Sequence, residues 1–242
     1  MPKQVVKPYN KSGAKKEQVA TMFDNIAPRY DLLNRVLSLG IDTIWRKKAI
    51  AQLSSDHKVI LDVATGTADM AIEIHKQIDA DKVIGLDLSA NMVEHGNKKL
   101  TKKGLNESIQ LEVGDSEAMR FEEGDFDAVT CAFGVRNFGN LSKGLEEMNR
   151  VLRPGGKVVI LEFSRPKVFP FKQLFNFYFK HILPRIGGST SNDDRAYDYL
   201  YESVQVFPDY ENFAAILEKS GFRSVNWKPL SLGICTIYSA IK

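Results

Sequence analysis

A chain of 242 residues with 43% hydrophobic and 26% charged residues has the balance of one sizeable globular domain, which excludes disordered and fibrous classes. Its net charge of +3 permits weak attraction to an anionic surface and demands none. The only cysteines, Cys131 and Cys235, lie far apart, and no Cys/His cluster has metal-ligand spacing, so neither a disulfide framework nor a metal site is expected.

Residues 1–16 are polar and basic (Lys3, Lys7, Lys11, Lys15, Lys16) without an apolar run or a cleavage site. They predict a loose arm and not a signal peptide. Nowhere does the sequence reach the roughly 18 uncharged apolar residues that a spanning helix needs. The expectation is a cytoplasmic protein whose membrane contact, if any, is peripheral to the inner face. From Glu17 to Leu53 apolar residues fall at helical spacing, interrupted at Ala27-Pro28 and Gly40, which predicts two or three helices ahead of the first strand.

The texture then changes. The strand and turn "KVILDVATGT" lead into the helical "ADMAIEIHKQI", and the strand "KVIGLDLS" leads into "ANMVEHGNKKL". Such a βαβα rhythm argues for a parallel sheet covered on both faces. It continues through strands "IQLEVGD" and "FDAVTCAF", helix "LSKGLEEMNRVL", the turn "RPGG" and strand "KVVILEF". An aromatic, basic, helix-like insert occupies about 166–208 and reads as a lid. A helix at 209–219 then precedes two last strands, "SVNWKPL" and "GICTIYSAI". The expected fold is α/β: one domain over 1–242, with a doubly wound, mostly parallel, seven-stranded sheet, N-terminal helices and a helical insert.

In such a sheet the ligand sits beyond the carboxyl ends of the strands at the switch point. Strand one ends in "DVATGTAD". There Gly66 lets backbone approach a ligand, while Thr67 and the amides after it open a helix that favours an anion; an ordinary tight turn is the alternative. About twenty residues on, Asp87 ends strand two, where a carboxylate accepts both hydroxyls of a ribose or caps the next helix. Asp115 and Ser116 end strand three. Asp115 suits an adenine amino group and the Ser116 amide suits the ring, again with a helix cap as the competing reading. Three polar positions on one edge favour an adenosine-containing ligand. NAD is disfavoured because "TGTADM" lacks the G-x-G-x-x-G that admits a pyrophosphate.

The run from Asp62 to Ala68, D-x-A-x-G-x-A, instead resembles the first motif of class I S-adenosylmethionine-dependent methyltransferases. In that motif Asp62 anchors the turn and the amino acid part of the cofactor lies over it. Ala64 and Ala68 replace the usual flanking glycines, so the loop is expected to hold angles that alanine tolerates. Longer segments narrow the resemblance. "YDLLNRVLSLGIDTIW" (30–45) and "RVLRPGGKVVILEFS" (150–164) closely resemble the two signatures of the ubiquinone/menaquinone biosynthesis C-methyltransferases. "AFGVRNF" (132–138) and "AYDYLYESVQVFP" (196–208) match the same family, so the likeness spans roughly 20–240. Asp42 departs from it where many members carry histidine, and Ala132 where some carry serine.

The resemblance implies S-adenosylmethionine as cofactor and a prenylated quinol as substrate, most naturally demethylmenaquinol, with a methoxy-polyprenyl-benzoquinol as the alternative. Methylating a ring carbon requires the adjacent phenol to lose its proton and the carbon to sit in line with the methyl. Arg136, just past strand four, suits the developing phenolate, and Asn137 the second ring oxygen; a surface or helix-end ion pair is the alternative for Arg136. Tyr30 could bind a quinol oxygen or be a buried aromatic. His57, His75 and His95 should point away from the reacting edge. That leaves His181 in the insert, and otherwise proton loss to water or within the bound quinol. The insert's "VFPFKQLFNFYFKHILPRIGG", with Lys172, Lys180 and Arg185 interspersed, suits an isoprenoid tunnel, a lipid-facing surface or a plain lid. A nucleic-acid partner is not expected, since "AFGVRN" replaces the Asn-Pro-Pro-aromatic motif of amino-group methylation and no RNA-binding module is visible. A non-enzymatic cofactor-binding adapter is disfavoured by Arg136 and Asn137. A homodimer is compatible with the residues.

Overall fold

A computed structural model describes residues 6–9, 12–182 and 195–242; Lys3, Lys11, Arg185 and positions 183–194 of the insert lie outside the described residues. Seven strands form one sheet: β1 (Val59–Val63), β2 (Lys82–Asp87), β3 (Ile109–Val113), β4 (Phe126–Ala132), β5 (Leu152–Phe163), β6 (Arg223–Leu230) and β7 (Cys235–Ile241). Their order is β3-β2-β1-β4-β5-β7-β6. Strands β1 to β5 run parallel, and β7 is antiparallel to both β5 and β6. The chain winds outward from β1 to β3 and returns to add β4 and β5 on the other side. The strand order therefore reverses between β1 and β4, and a crevice opens at their carboxyl ends.

Strand β1 shows why these residues choose a central position. It is buried almost throughout, with Leu61 and Val63 in one core layer and Ile60 in the other, as a strand covered on both faces requires. Helices α6 (Leu141–Val151) and α9 (Glu211–Lys219) cover the first face through Leu145, Met148, Phe213 and Leu217. Helices α3 (Ile41–Ile50), α4 (Asp69–Gln77) and α5 (Ala90–Lys103) cover the second through Trp45, Ile50, Ile74 and Leu100. Local signals agree with these boundaries: the Ser89 hydroxyl accepts from the Met92 N–H (3.1 Å) at the start of α5, and Gly104 ends that helix at φ +67°, where a Cβ would be unfavourable.

A third layer lies across the carboxyl edge. Helices α1 (Lys15–Ile26) and α2 (Tyr30–Leu37) pack against α7 (Phe171–Phe177), the π turn Tyr178–Ile182 and α8 (Arg195–Val206), through Met22, Ile26 and Leu33 on one side and Phe175, Phe179 and Tyr199 on the other. Two sequence expectations are corrected here. The arm expected over residues 1–16 is in part helix, because α1 begins at Lys15 and Lys15 and Lys16 find partners in the sheet's loops. The turn expected at "RPGG" lies inside β5, where the pairing with β4 shifts from Phe126–Leu152 to Ala128–Lys157 and absorbs the extra residues as a bulge.

Candidate active site

Two cavities meet over the carboxyl ends of β1 and β4. The first, about 70 Å³, is a narrow cleft walled by Gly66, Asp87, Gly114, Asp115 and Ser116 and roofed by Lys16, Val19, Ala20 and Phe23 of α1. The second, about 410 Å³, is enclosed mainly by apolar side chains of α1, α2, α3, α7 and α8, with Arg46, Arg136 and Asn137 in its wall. Phe23, Tyr30, Phe133 and Asn137 line both and so mark the junction.

The first cleft is positioned by backbone hydrogen bonds. Asp62 is fully buried beneath the turn, where its Oδ1 accepts from the Thr130 hydroxyl (2.7 Å) and its Oδ2 from the Thr65 hydroxyl (2.6 Å). Burial pushes its carboxyl up to about 6 against the pull of those two hydroxyls. It anchors the loop and does not line the cleft. Asp87 does line it; its Oδ2 accepts from the Gly66 N–H (2.8 Å) and its Oδ1 from the Ser89 N–H (2.9 Å), and burial raises its pKa. Asp87 thus ties loop one to helix α5, while the N-cap itself is Ser89. Each of its oxygens keeps a lone pair for a ligand. Asp115 accepts from the Glu117 N–H (2.9 Å) and from Lys16 Nζ (2.6 Å). Burial opposes ionisation there, yet Lys16 and that amide hold the carboxyl below the usual range.

Two readings of loop one are corrected. The Thr67 side chain is not in the cleft: its hydroxyl donates to Asp31 Oδ1 and accepts from Lys99 Nζ (3.1 Å), so it joins α2 and α5 behind the loop. Ala64 and Ala68 do not hold ordinary alanine angles, for their φ values are +53° and +69°, a region that costs an L-residue about 1–2 kcal/mol. The loop is held there by the Asp62–Thr65 and Asp87–Gly66 bonds and by the Thr65 N–H donating to Leu86 O (3.1 Å). Gly66, at φ +57°, leaves space above itself that is closed by the Tyr30 ring, 3.7 Å from where a Cβ would stand.

The larger cavity owes its polar wall to the turn Val135–Asn137. Arg136 Nη1 donates to Glu162 Oε1 (2.7 Å) and to the Phe133 carbonyl, and the guanidinium lies 5.4 Å from the Phe163 ring centre. Arg136 does make an ion pair, but not the surface or helix-end pair weighed from the sequence: its partner is a fully buried glutamate at the end of β5, and Arg136 nonetheless lines the cavity. Its Nε–H has no partner among the described residues. Asn137 donates through Nδ2 to the same Phe133 carbonyl (3.3 Å) and keeps Oδ1 unpartnered. Buried polar atoms rarely stay unpaired without a ligand to meet. Tyr30 shares the cavity wall with Arg46 and Arg136; burial raises its phenol pKa, against an Asn34 hydrogen bond and those two charges.

Several residues of this wall escape sequence reasoning. Arg46, ion-paired with Asp42 one helical turn away, and Tyr199 each keep an unpartnered polar atom and line the larger cavity. Glu162 carried a usable signal, an acid inside the apolar run "VVILEF"; Tyr199, Lys15 and Lys16 carried none. No histidine lines either cavity among the described residues. His181, the one candidate, packs against Phe177 (5.4 Å).

A sequence model of the ubiE/COQ5 methyltransferase family matches residues 11–242. The chain belongs to that family. It is similar to the demethylmenaquinone methyltransferase of Bacteroides fragilis, 46% identical over 242 residues that cover all of this chain and 99% of the relative. It is equally similar, at 46% over 230 residues, to the ubiquinone/menaquinone biosynthesis C-methyltransferase UbiE of Geotalea daltonii, with 94% of this chain and 97% of that one covered. Among solved structures, a SAM-dependent methyltransferase from Thermotoga maritima has a TM-score of 0.66 at 14% identity, covering 92% of this chain and 99% of that one. A second, from Aquifex aeolicus, has a TM-score of 0.56 at 17% identity, covering 96% and 99%. At such identity the likeness shows the fold alone, which is the class I S-adenosylmethionine-dependent one, and this family member is a methyltransferase on that fold. The narrow cleft fits the S-adenosyl group in its chemistry: two carboxylates at the ends of β2 and β3 retain acceptor capacity, and a loop with Gly66 at its crest allows close backbone approach.

Proposed function

We propose that this methyltransferase C-methylates a prenylated quinol, with demethylmenaquinol as the acceptor and a methoxy-polyprenyl-benzoquinol as the second reading. The observation that carries this is the large apolar cavity joined to the cofactor cleft, with unpartnered Arg136 Nε and Asn137 Oδ1 close to the junction. The relatives named demethylmenaquinone methyltransferase at 46% identity favour the naphthoquinol. Bound in the narrow cleft, S-adenosylmethionine supplies an electrophilic methyl group.

The chain's own residues do the rest. Arg136 donates from Nε–H to the ring oxygen next to the reacting carbon and stabilises it as phenolate, while Asn137 Oδ1 accepts from the other hydroxyl, so the ring is held by both poles. Arg136 stays charged and is no base. With no histidine in the wall among the described residues, the phenol proton leaves to water at the junction. After the ring carbon has taken the methyl and the carbon–sulfur bond has broken, the hydrogen on that carbon leaves to water as well and the ring is aromatic again. Asp87 and Asp115 hold the adenosine part of the cofactor, and Tyr30 closes the space over Gly66.

The tail and its source follow from the cavity's rim. Leu39, Ile41, Phe171 and Leu174 line the cavity and are solvent-exposed, and Leu32, Phe169 and Phe177 extend the apolar rim. Exposed Arg35, Lys47, Lys48, Lys172 and Lys180 lie on the same elements. Among the described residues no helix is long and apolar enough to cross a membrane. The rim instead supports peripheral contact with an anionic lipid surface, from which a prenyl tail enters. The test is methyl transfer from labelled S-adenosylmethionine to demethylmenaquinol and to the benzoquinol, read by product mass. Transfer to the naphthoquinol is expected; transfer to neither overturns the reading, and transfer to the benzoquinol alone replaces the substrate.

A further inference from the structure

The segment that carries Arg136 and Asn137 closes its turn with the backbone bonds Asn137 N–H to Gly134 O (2.9 Å) and Phe138 N–H to Val135 O (3.3 Å), and side chains supply most of its remaining bonds. The Phe133 carbonyl takes Arg136 and Asn137, and the N–H groups of Gly139 and Asn140 donate to Glu117 Oε1 (2.7 and 3.0 Å). The carbonyls of Arg136 and Phe138, left over at the end of a three-residue turn, both accept from one group: Lys15 Nζ, at 2.8 and 3.0 Å. Unpaired carbonyls at a helical end need such a partner. Its neighbour Lys16 reaches Asp115 in the cofactor cleft, so two consecutive lysines of α1 tie the roof of one cavity to the polar wall of the other.

We propose that Lys15 is a positioning residue for methyl transfer: its ammonium, projected from α1, holds the carbonyls of Arg136 and Phe138 and thereby keeps Arg136 and Asn137 at the junction of the two cavities. The proposal rests on the reading of Arg136 and Asn137 given above. Lys15 touches neither cavity, so it acts through the turn and not on the substrate.

The groups around Lys15 make this role sensitive to pH. It is faced by the Arg136 guanidinium on the turn, Glu117 beyond β3 and Glu162 at the end of β5, with Lys16 beside it on its own helix. Burial first, and then repulsion from Arg136, lower its pKa to about 8, against the pull of Glu117 and Glu162. Below that value the charged ammonium bridges both carbonyls; above it a neutral amine still has two N–H donors but lacks the charge that strengthens both bonds, and so holds them less firmly. Stability moves the other way. Between about 8 and the ordinary value of 10.5 the unfolded chain keeps this proton and the folded one has lost it, so the Lys15 contribution to stability rises with pH. Alkaline loss of rate is thus separable from unfolding.

The experiment compares single-turnover transfer to the quinol by the wild type, Lys15→Met and Lys15→Arg from pH 6.5 to 9.5, with cofactor affinity and melting temperature measured beside it. At pH 7, Lys15→Met should be slower by about tenfold, in line with displacement of groups that position a substrate, with cofactor affinity unchanged within about twofold. As pH passes 8, the ratio of wild-type to Lys15→Met rates should fall; taking the ratio cancels ionisation of the free quinol. Lys15→Arg, charged throughout, should retain rate at neutral pH and lack the wild type's alkaline fall relative to Lys15→Met. A ratio that stays flat with pH, or a Lys15→Met rate equal to wild type, overturns the proposal and leaves quinol methylation standing. Absence of transfer by the wild type overturns both. Should Lys15→Met fail to fold, identical pH profiles for the wild type and Lys15→Arg would be the overturning result.

Discussion

The narrow cleft proposed for the cofactor and the large cavity proposed for the acceptor lie side by side but are built on different principles. The cleft is made by consecutive strand ends of one sheet, and its key side chains are held by backbone groups: Asp87 by the amides of Gly66 and Ser89, Asp115 by that of Glu117. The cavity is assembled from segments far apart in the chain, and its two arginines each need a carboxylate as partner, Glu162 for Arg136, which also donates to the Phe133 carbonyl, and Asp42 for Arg46. A backbone-held site can recur on many chains that share a fold. A cavity assembled from distant segments is particular to the segments that meet there.

This contrast predicts that substitutions separate cleanly by cavity. The largest effect belongs to Arg136. Arg136→Ala should slow the chemical step by about 10²- to 10³-fold, the usual loss for a preorganised charge-stabilising donor, with cofactor affinity nearly unchanged. Single-turnover rates across pH check this: the deficit should shrink as the free quinol ionises unaided. A deficit explained by lost cofactor binding would mean that the two sites are not separable. Lysine should rescue only in part, because a point charge lacks the planar fork that keeps Glu162 paired while donating to the ring.

Asp87 provides the mirror image. Asp87→Ala should weaken S-adenosylmethionine binding by about 1.5–3 kcal/mol, the range for a charged hydrogen-bond partner, and leave acceptor affinity alone; calorimetry of the folded variant decides. Gly134 should break the separation, since it lines the narrow cleft and begins the turn that carries Arg136 and Asn137. A Cβ on it would stand 2.5 Å from Ala64 Cβ and 2.7 Å from Cys131 Sγ, wedging the acceptor turn away from loop one. Gly134→Ala should therefore reduce cofactor affinity and transfer together, by about 1–3 kcal/mol as overpacking does, and a change in only one would show that the loops move independently.

The smallest expected effect sharpens the acceptor side. Phe175 and Phe179 stack at 4.2 Å and are buried in the layer above the sheet, so replacing them would unsettle packing as well as any tunnel. Leu174 is exposed and still lines the cavity. Leu174→Ser should reduce turnover of a long-tailed quinol by about 1 kcal/mol, the scale of losing partial burial of one aliphatic side chain, and leave a tail-free analogue unaffected. Equal losses on both would return the rim to simple packing.

Periodicity and turn residues in the sequence were enough to determine the α/β winding, the seven strands and the carboxyl-edge acids, because strands in a doubly wound sheet are local, strongly patterned and end in the residues that bind. The places of Asp62, Gly66, Asp87 and Asp115 at the carboxyl edge were legible for that reason. The side chain of Thr67 was not, since which way it turns depends on Asp31 and Lys99, 36 and 32 residues away. Nor was the strain at Ala64 and Ala68, which local propensity opposes and a buried carboxylate beneath the loop enforces. Only the tertiary structure could place Glu162 under Arg136, or bring Lys15 across 121 residues to the turn that carries it. Contacts at such separation leave no period in the sequence; they come from how helices with ordinary amphipathic faces settle on a finished sheet.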